Sequence, residues 1–279
     1  MRTLLRAAAV AGPALLIAAA ALPADSTGGT APDRCTALAV AGHRGSPRSA
    51  PENTMDSFEA ALREGADWLE TDVRTTRDGV PVLMHDATVD RVTDGRGAVA
   101  DLTSAQIAAL RVTAGPGAPR PVPTLDALLR RIAGTDVRLL MEIKEQRGPA
   151  DDARIARAAA ASGARVVLYS FYAADLRAAH AAAPDLPLVL IQGAGTAQDP
   201  GDLPLAGIAL DSTTATPARV AAEHSAGRAV YVWTLDDPAA WRTAADSSAD
   251  ALITDLPAGA RRWSDRNCPT ARVRAATAP

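Results

Sequence analysis

Aromatic residues are scarce in this chain: two phenylalanines, three tyrosines and four tryptophans make up 3% of its 279 residues. The buried core must therefore be filled mainly by alanine and branched aliphatic side chains. A chain of this length suits one large domain or two small ones, and single α/β barrels commonly reach this size. It is also long enough to bury most of its apolar surface.

Positive charge is not in excess either. The chain has 29 lysines and arginines against 32 aspartates and glutamates, for a net charge of −3. No run of basic residues occurs beyond the N-terminal segment. Because basic runs and basic faces are typical of proteins that bind nucleic acid, the sequence predicts no nucleic-acid partner.

The first 24 residues have the layout of a secretory signal peptide. Arg2 and Arg6 form a short basic start, residues 7–22 are small and apolar, and residues 22–24 offer a cleavage site. A transmembrane anchor is the alternative, but the apolar stretch is short and no charged flank follows it. We expect a secreted protein without stable membrane insertion after cleavage. Its parts are a signal peptide at 1–24, a flexible leader at 25–34 and a folded domain at 35–279.

Cysteine is almost absent, and the two that occur stand near the ends of the folded domain. Cys35 precedes the first predicted strand and Cys268 lies near the C-terminus. An oxidising compartment permits a disulfide between them, and a closed barrel would bring its first and last units together. The alternative is two unpaired thiols in flexible ends. We favour the Cys35–Cys268 bridge.

Between the cysteines, short aliphatic runs alternate with Ala- and Arg-rich stretches of helical length. This alternation predicts a parallel sheet covered by helices. About eight such units, with no dinucleotide fingerprint, favour a single-domain α/β fold, the (β/α)8 TIM barrel, over a doubly wound sheet. The predicted strands are residues 38–42, 67–73, 81–84, 137–143, 165–168, 188–191, 207–210, 229–233 and 251–253. The predicted helices are residues 54–64, 104–109, 124–132, 153–162, 173–182, 217–226, 239–245 and 257–263. A surface loop is expected at residues 113–123, which are rich in Gly and Pro.

Polar side chains collect where the predicted strands end. In a (β/α)8 barrel the chemistry lies at the C-terminal ends of the strands, so we expect these residues to share one mouth. They are His43, Glu70, Asp72, His85, Glu142, Lys144 and Trp233.

Glu70 and Asp72 are two positions apart in one predicted strand. Side chains at that spacing point to the same face, about 6.5–7 Å apart along the chain. Buried like charges at such a distance need a cation between them or must take up a proton. The pair therefore indicates a metal-assisted site.

Glu142 and Lys144 repeat this spacing in a later strand. By themselves they could form a structural ion pair inside the barrel. Beside Glu70 and Asp72, however, Glu142 would complete a three-carboxylate site, and Lys144 would remain to hold an anion. An all-oxygen set of ligands suits one divalent cation, Mg²⁺ or Ca²⁺, rather than Zn²⁺.

His43 and His85 each follow an apolar run. An isolated histidine is more often a satisfied core residue, but both stand at strand ends beside charged neighbours. Two imidazoles can act as a base and an acid near neutral pH. The other two histidines, His180 and His224, fall in predicted Ala-rich helices and are expected at the surface.

In their order along the chain, these motifs resemble those of the glycerophosphodiester phosphodiesterase family, in its secreted bacterial type. The resemblance spans roughly residues 38–263. Its segments are residues 43–45 (His-Arg-Gly), 51–54 (Pro-Glu-Asn-Thr) with Phe58, 70–73, 85–97, 122–125, 142–144, 170–171, 232–234 and 253–255.

The resemblance implies a metal-dependent enzyme of lipid metabolism. Such an enzyme cleaves glycerophosphodiesters, for example glycerophosphocholine or glycerophosphoethanolamine, to glycerol 3-phosphate and an alcohol. It also implies roles for residues at the matching positions. The metal ligands would be Glu70, Asp72 and Glu142; the acid–base pair His43 and His85; the phosphate-binding residues Arg44 and Lys144; and the residues lining the glycerol side Trp233 and Phe171.

Two positions depart from the family pattern. Asp236 stands where the family often has Asn, and Leu256 where it favours Pro. Both lie outside the catalytic set, so they bear on substrate detail more than on activity.

The residues around the two histidines are expected to support them. In the run Pro-Glu-Asn-Thr, Asn53 is predicted to be the N-cap of the following helix, while the role of Glu52 is left open. Asp86 and Arg91 are expected to buttress the loop that carries His85. Glycines 95 and 97 are expected to permit the turn of that loop.

Two other functions are compatible with parts of this pattern. A phospholipase D-like enzyme acting on intact lipids would need exposed apolar loops near the mouth, and residues 113–123 are neither aromatic nor strongly apolar. A non-catalytic secreted barrel would be expected to lack a histidine or a carboxylate, and none is missing. An enzyme with a small soluble substrate is therefore favoured.

Overall fold

The structure is a computed structural model that describes residues 38–145 and 148–268. Its strands and helices alternate along the chain. In order they are β1 (Ala39–Gly42), α1 (Met55–Arg63), β2 (Trp68–Thr75), β3 (Pro81–Leu83), a 3-10 helix (Val99–Asp101), α2 (Ser104–Ala109), β4 (Arg111–Val112), β5 (Arg120–Pro121), α3 (Leu125–Ile132), β6 (Arg138–Ile143), α4 (Pro149–Ala161), β7 (Arg165–Ser170), α5 (Ala173–Ala182), β8 (Leu188–Gln192), β9 (Leu205–Asp211), α6 (Pro217–Ser225), β10 (Ala229–Trp233), α7 (Pro238–Asp246), β11 (Ala251–Thr254) and α8 (Pro257–Asn267).

Eight of these strands form a closed parallel barrel. The pairing runs from β1 to β2, then through β6, β7, β8, β9 and β10 to β11, which pairs with β1 again. The predicted (β/α)8 barrel is therefore confirmed.

Alternation along each strand separates two layers of core. Inward-facing side chains fill the barrel with aliphatic residues and a few aromatics, and Trp68 meets Tyr231 edge-on at 5.6 Å between ring centroids. Outward-facing side chains such as Leu69 and Val73 pack against the surrounding helices. Because Glu70 and Asp72 share the parity of Trp68, they also face the barrel interior.

Local signals mark where most helices begin. Thr54, Thr103, Thr124 and Thr216 each accept a backbone N–H from the first turn of the helix that follows. Proline occupies the first position of four helices, one of which also has a threonine cap. The missing N–H of proline costs nothing at that position. The four helices are α4, α6, α7 and α8. The predicted start of α4 at residue 153 was therefore four residues late, since the helix begins at Pro149.

The predicted strand at residues 81–84 exists but is not a barrel strand. β3 runs antiparallel to the end of β2, with Val73 opposite Leu83. The chain reverses at residues 76–80, where Gly79 has φ of +84° and donates its N–H to the carbonyl of Thr76. His85 therefore reaches the mouth by a hairpin that returns along β2, and not at the C-terminal end of a barrel strand as expected.

The segment that follows β3 builds its own small core. Part of the predicted loop at residues 113–123 belongs to it, because β5 pairs with β4. The buried side chains of this core are Val82, Met84, Val89, Val92, Val99, Ile107, Val112 and Val122.

The predicted signal peptide (residues 1–24), the leader (residues 25–34) and Cys35 lie outside the described residues. Within the described residues, Cys268 follows α8 and is buried in the same apolar cluster as Leu38. No helix in these ranges combines the length and hydropathy needed to span a bilayer.

Candidate active site

Three buried carboxylates meet at one end of the barrel. Asp72 on β2 stands opposite Glu142 on β6 in the strand register, and Glu70 shares the inner face of β2 with Asp72. One oxygen from each of the three lies within 4.8 Å of the others. Their exposed fractions are only 1%, 1% and 6% for Glu70, Asp72 and Glu142. The predicted triad is therefore assembled in the structure.

The charges of this triad are balanced only in part by the neighbouring Lys144 and Arg44. Burial, reinforced by the charge of Asp72, raises the pKa of Glu70 and of Glu142 above the usual range. Burial acts in the same direction on Asp72, but Lys144 and Arg44 outweigh it and hold the pKa of that carboxyl well below its usual range. A buried all-oxygen cluster with this surplus of negative charge fits a hard divalent cation.

Lys144 follows β6 and lies between two of the carboxylates. Its Nζ is 2.9 Å from Oδ1 of Asp72 and 2.6 Å from Oε1 of Glu142. The ion pair considered from the sequence thus forms, and it forms within the triad. Since the Lys144 side chain is only 11% exposed, its charge acts on the pocket with little screening by water.

The His-Arg-Gly run makes a tight turn directly after β1. Arg44 has φ of +52°, and its backbone N–H donates to Oε2 of Glu70 at 2.8 Å. Gly45 has φ of +87°, and a Cβ at this position would lie 2.5 Å from atoms of Ser57. Only glycine fits there, and the turn aims the Arg44 side chain at the triad, with Nε 3.3 Å from Oδ2 of Asp72.

His43 is held by a carboxylate that sequence reasoning had not placed in the site. Its Nδ1 lies 2.7 Å from Oδ1 of Asp255, just after β11. Asp236 accepts the backbone N–H of Asp255 at 2.7 Å and the hydroxyl of Thr254 at 3.0 Å. Burial lowers the pKa of His43, but Asp255 and the charges of the triad outweigh it, so the pKa is raised overall. The signal available in the sequence was the pair Thr254-Asp255, at the C-terminal end of the last barrel strand.

His85 has a matching carboxylate partner in Asp86, whose Oδ1 lies 2.7 Å from Nδ1 of the imidazole. Arg91 binds Asp86 through Nε at 2.6 Å, so the predicted buttress of this loop is confirmed. Arg74 donates to the backbone carbonyl of His85 at 2.9 Å. Burial lowers the pKa of His85, assisted by the positive charges of Lys144 and Arg44. The pKa values of the two histidines are thus displaced in opposite directions.

Of the two glycines expected to permit the turn of the His85 loop, only Gly97 has the backbone conformation of such a turn, and Gly95 is required by packing. Gly97 has φ of +112°, a backbone conformation that favours glycine. At Gly95 an added Cβ would lie 2.5 Å from the side chain of Leu110.

The prediction that Asn53 caps α1 was wrong. Thr54 is the N-cap, because its Oγ1 accepts the N–H of Ser57. Asn53 has φ of +54°, and its Nδ2 donates to Oδ2 of Asp72 at 2.8 Å. Its Oδ1 accepts the hydroxyl of Thr71 at 2.8 Å. The run Pro-Glu-Asn-Thr offered two possible caps, and the use of Thr54 leaves Asn53 to support the triad.

The remaining predicted residues join these groups around one open pocket with a cavity volume of about 130 Å³. Phe171 and Trp233 meet edge-on at 5.6 Å between centroids on one of its walls. The indole Nε1 of Trp233 is buried and has no hydrogen-bond partner among the described residues. Tyr169, which was not predicted, also lines the pocket because it stands opposite Glu142 on β7. Every predicted site residue except the deeply buried Asp72 lines this pocket.

The other two histidines lie elsewhere. His224 is a surface residue that pairs with Asp250 at 2.8 Å, as the expectation of an exposed histidine requires. His180 is half-buried on α5 and does not line the pocket.

The fold and this cluster of charges define a class of protein: barrel enzymes that carry a carboxylate metal site and paired histidines at one mouth. Comparison with known proteins narrows this class. The model of the Glycerophosphoryl diester phosphodiesterase family matches residues 43–258. The chain therefore belongs to this family, and it is a glycerophosphodiester phosphodiesterase.

Individual relatives agree with this assignment. A Mycobacterium tuberculosis protein named "Probable glycerophosphodiester phosphodiesterase 1" is 34% identical over 227 residues, covering 71% of this chain and 82% of that protein. The glycerophosphodiester phosphodiesterase of Caldanaerobacter subterraneus subsp. tengcongensis is 31% identical over 229 residues, covering 78% and 94%. A phosphodiesterase from Oleispira antarctica, solved in complex with the product sn-glycerol-3-phosphate, shares the fold with a TM-score of 0.72 at 24% identity, covering 82% of this chain and 97% of that one.

Proposed function

We propose that this enzyme hydrolyses small soluble glycerophosphodiesters, such as glycerophosphocholine or glycerophosphoethanolamine, to glycerol 3-phosphate and an alcohol. The observation that carries the proposal is the pocket itself. It is lined by two histidines, each paired with a carboxylate at 2.7 Å, and by two cationic side chains beside the carboxylate triad. The Oleispira antarctica relative was solved with the corresponding product, sn-glycerol-3-phosphate.

Glu70, Asp72 and Glu142 would hold one divalent cation, Mg²⁺ or Ca²⁺. When bound, this cation would supply positive charge that stabilises the phosphoryl oxygens of the transition state. Arg44 and Lys144 line the same pocket and would bind the phosphate group from their side. Trp233 and Phe171 would form the wall against the glycerol moiety, and the buried Nε1 of Trp233 has no hydrogen-bond partner within the part of the chain that the structure describes.

The two histidines would divide the proton transfers between them. His43, with its raised pKa, would carry the proton that the leaving alkoxide takes up. His85, with its lowered pKa, would accept the proton of the nucleophile. In both rings Nδ1 is engaged by a carboxylate, so Nε2 is the nitrogen that can face the substrate.

Export and the disulfide are part of the same proposal. The layout of residues 1–24 supports secretion with removal of a signal peptide. The burial of Cys268 in one cluster with Leu38, three residues after Cys35, supports the Cys35–Cys268 bridge. N-terminal sequencing of protein collected from the culture medium tests the cleavage.

Enzyme-coupled detection of glycerol 3-phosphate tests the reaction. The assay uses glycerophosphocholine and glycerophosphoethanolamine, with and without a chelator, and with Mg²⁺ or Ca²⁺ added back. We expect product from at least one of these substrates and only when the metal is present. Release of the alcohol from intact phospholipid vesicles, without turnover of either soluble substrate, would instead support a phospholipase D-like function.

A further inference from the structure

Glu52 lies between the His-Arg-Gly turn and the loop that carries His85. It binds Arg44 of the turn and Arg91 of the loop. Its Oε1 accepts from Nη1 of Arg44 at 3.0 Å and from Nη2 of Arg91 at 2.7 Å. Its Oε2 accepts from Nη1 of Arg91 at 3.0 Å. The pairing with Arg91 is therefore bidentate, the geometry that fixes the relative orientation of the two side chains.

The chain of charged hydrogen bonds continues beyond Arg91. Arg91 binds both oxygens of Asp86, at 2.6 Å through Nε and at 3.2 Å through Nη2. Asp86 in turn holds Nδ1 of His85 at 2.7 Å. An unbroken path thus runs from Arg44 through Glu52, Arg91 and Asp86 to His85.

The two ends of this path belong to separately built segments. Glu52 stands in the turn before α1, which is tied to the His-Arg-Gly turn because the N–H of Asn53 donates to the carbonyl of Arg44 at 3.0 Å. Arg91 and His85 belong to the segment after β3, whose buried side chains form a core of their own. Glu52 and Arg91 are 39 positions apart, so their contact joins the two segments at the mouth.

Each end also depends on this path for its position. The Nε of Arg44 lies 3.3 Å from Asp72, so without Glu52 the guanidinium has a metal-site carboxylate as its nearby partner. The side chain of Arg91 is 47% exposed, so its orientation is set by its ionic partners more than by packing. Glu52, at 17% exposed, is the more buried member of the pair.

From these contacts we infer that Glu52 is a positioning residue, which sets the placement of the phosphate-binding Arg44 relative to His85. This inference rests on the proposed function, because it takes Arg44 to bind the phosphate and His85 to transfer a proton. The phosphoryl group must meet both side chains at once, and a misplacement of about 1 Å can cost about 100-fold in rate. Glu52 acts through its two arginines and is not itself one of the residues that line the pocket.

Glu52 makes two contacts, one with Arg44 and one with Arg91. The test separates these contacts by their effects on kcat and KM. Arg91→Met breaks the link from Glu52 to Asp86 and leaves the contact with Arg44. It should therefore lower kcat by about 10-fold or more and leave KM for glycerophosphocholine nearly unchanged. Glu52→Gln weakens the contacts with both arginines, so it should lower kcat similarly and also raise KM. The double variant should lower kcat no further than the stronger single variant, because both changes break one path.

Controls distinguish positioning from a general loss of structure. Arg96→Met removes an arginine of the same loop whose side chain is 89% exposed, and it should leave both constants unchanged. Calorimetric titration with sn-glycerol 3-phosphate should show weaker binding to Glu52→Gln but not to Arg91→Met. Near wild-type kcat in Glu52→Gln and Arg91→Met, or multiplicative losses in the double variant, would overturn the inference. A wild-type enzyme that releases no glycerol 3-phosphate would instead refute the proposed function.

Discussion

The Nδ1 atom of His43 lies 2.7 Å from Oδ1 of Asp255, although 212 positions separate the two residues in the chain. Burial alone would lower the pKa of His43, and the hydrogen bond to Asp255 outweighs it only together with the charges of Glu70 and Asp72. The carboxylate therefore both orients the imidazole and favours its protonated form. The backbone N–H of Asp255 donates to Asp236, one of the two positions at which the chain departs from the family pattern.

Replacing Asp255 should change the pH dependence of the enzyme. Asp255→Asn removes the charge that raises the pKa of His43, so the acid form of this histidine should be lost at a lower pH. The basic limb of kcat/KM should shift toward lower pH, and kcat should fall by about 10-fold or more, part of what general acid catalysis contributes. Profiles recorded with saturating metal measure both effects. Asp250→Asn, which alters the surface pair with His224, should shift nothing; an unshifted Asp255→Asn profile would contradict the role of this pair.

The two histidines should differ in their response to the leaving group. His43→Ala and His85→Ala should each lower kcat on glycerophosphocholine by about 10²–10⁴, the usual contribution of acid–base catalysis. A p-nitrophenyl ester of glycerol 3-phosphate needs little protonation of its leaving group, so His43→Ala should recover much of its rate on it. His85→Ala should not recover. The reverse pattern would exchange the two roles, and a near wild-type rate in either variant would exclude that histidine from catalysis.

Removing the metal should stop turnover and leave the repulsion among the three carboxylates without a compensating cation. Because the pKa of Glu142 is raised in the folded state, ionising it costs stability as the pH rises through that pKa. In the presence of chelator, the melting temperature of Glu142→Gln should therefore fall less than that of the wild type as the pH rises from about 6 to 9. Calorimetry should show weaker binding of Mg²⁺ or Ca²⁺ to the variant. Full activity of the wild type in chelator, with no metal by elemental analysis, would refute the metal site.

Asn53 and Thr54 are adjacent residues whose replacement should have different consequences. Asn53→Ala removes the donor to Asp72, so it should weaken metal binding by about 10–100-fold, the usual effect of losing a group that orients a ligand. Thr54→Ala removes the helix cap and the hydroxyl bond to the carbonyl of Pro51, and it should cost about 1 kcal/mol of stability with little change in metal affinity. Metal titration and thermal unfolding of both variants provide the comparison. Equal metal affinities in the two variants would show that Asn53 does not orient Asp72.

The proposed disulfide should affect stability and leave activity intact. The double variant Cys35→Ser/Cys268→Ser should melt at a lower temperature, since a bridge between the chain ends restricts the unfolded state. Its kcat should match the wild type because Cys268 lies in the core around α8, away from the pocket. Intact-mass analysis after alkylation without reductant should show no modified thiol in secreted protein. Two alkylated cysteines would reject the bridge.

Much of the architecture was predictable from the sequence because it depends on local periodicity. Short aliphatic runs separated by helix-length segments specify strands and helices, and eight such units close into a barrel. The i, i+2 spacing of Glu70 and Asp72 places both carboxylates on one face of β2 whatever surrounds the strand. The positions of His43, Glu142 and Lys144 at strand ends follow from the same reasoning, and all of them reach one mouth.

The tertiary structure alone decided how these groups are held. His85 arrives by an antiparallel hairpin, Asn53 turns away from the helix it precedes, and the Glu52–Arg91 contact joins segments with separate cores. Each arrangement depends on which distant segments pack together, and no local pattern in the chain contains that information. The sequence by itself thus determined the barrel and the parity of its carboxylates, because strand periodicity is a local property. The partners that orient the histidines and the triad come from remote loops, so only the folded chain determines them.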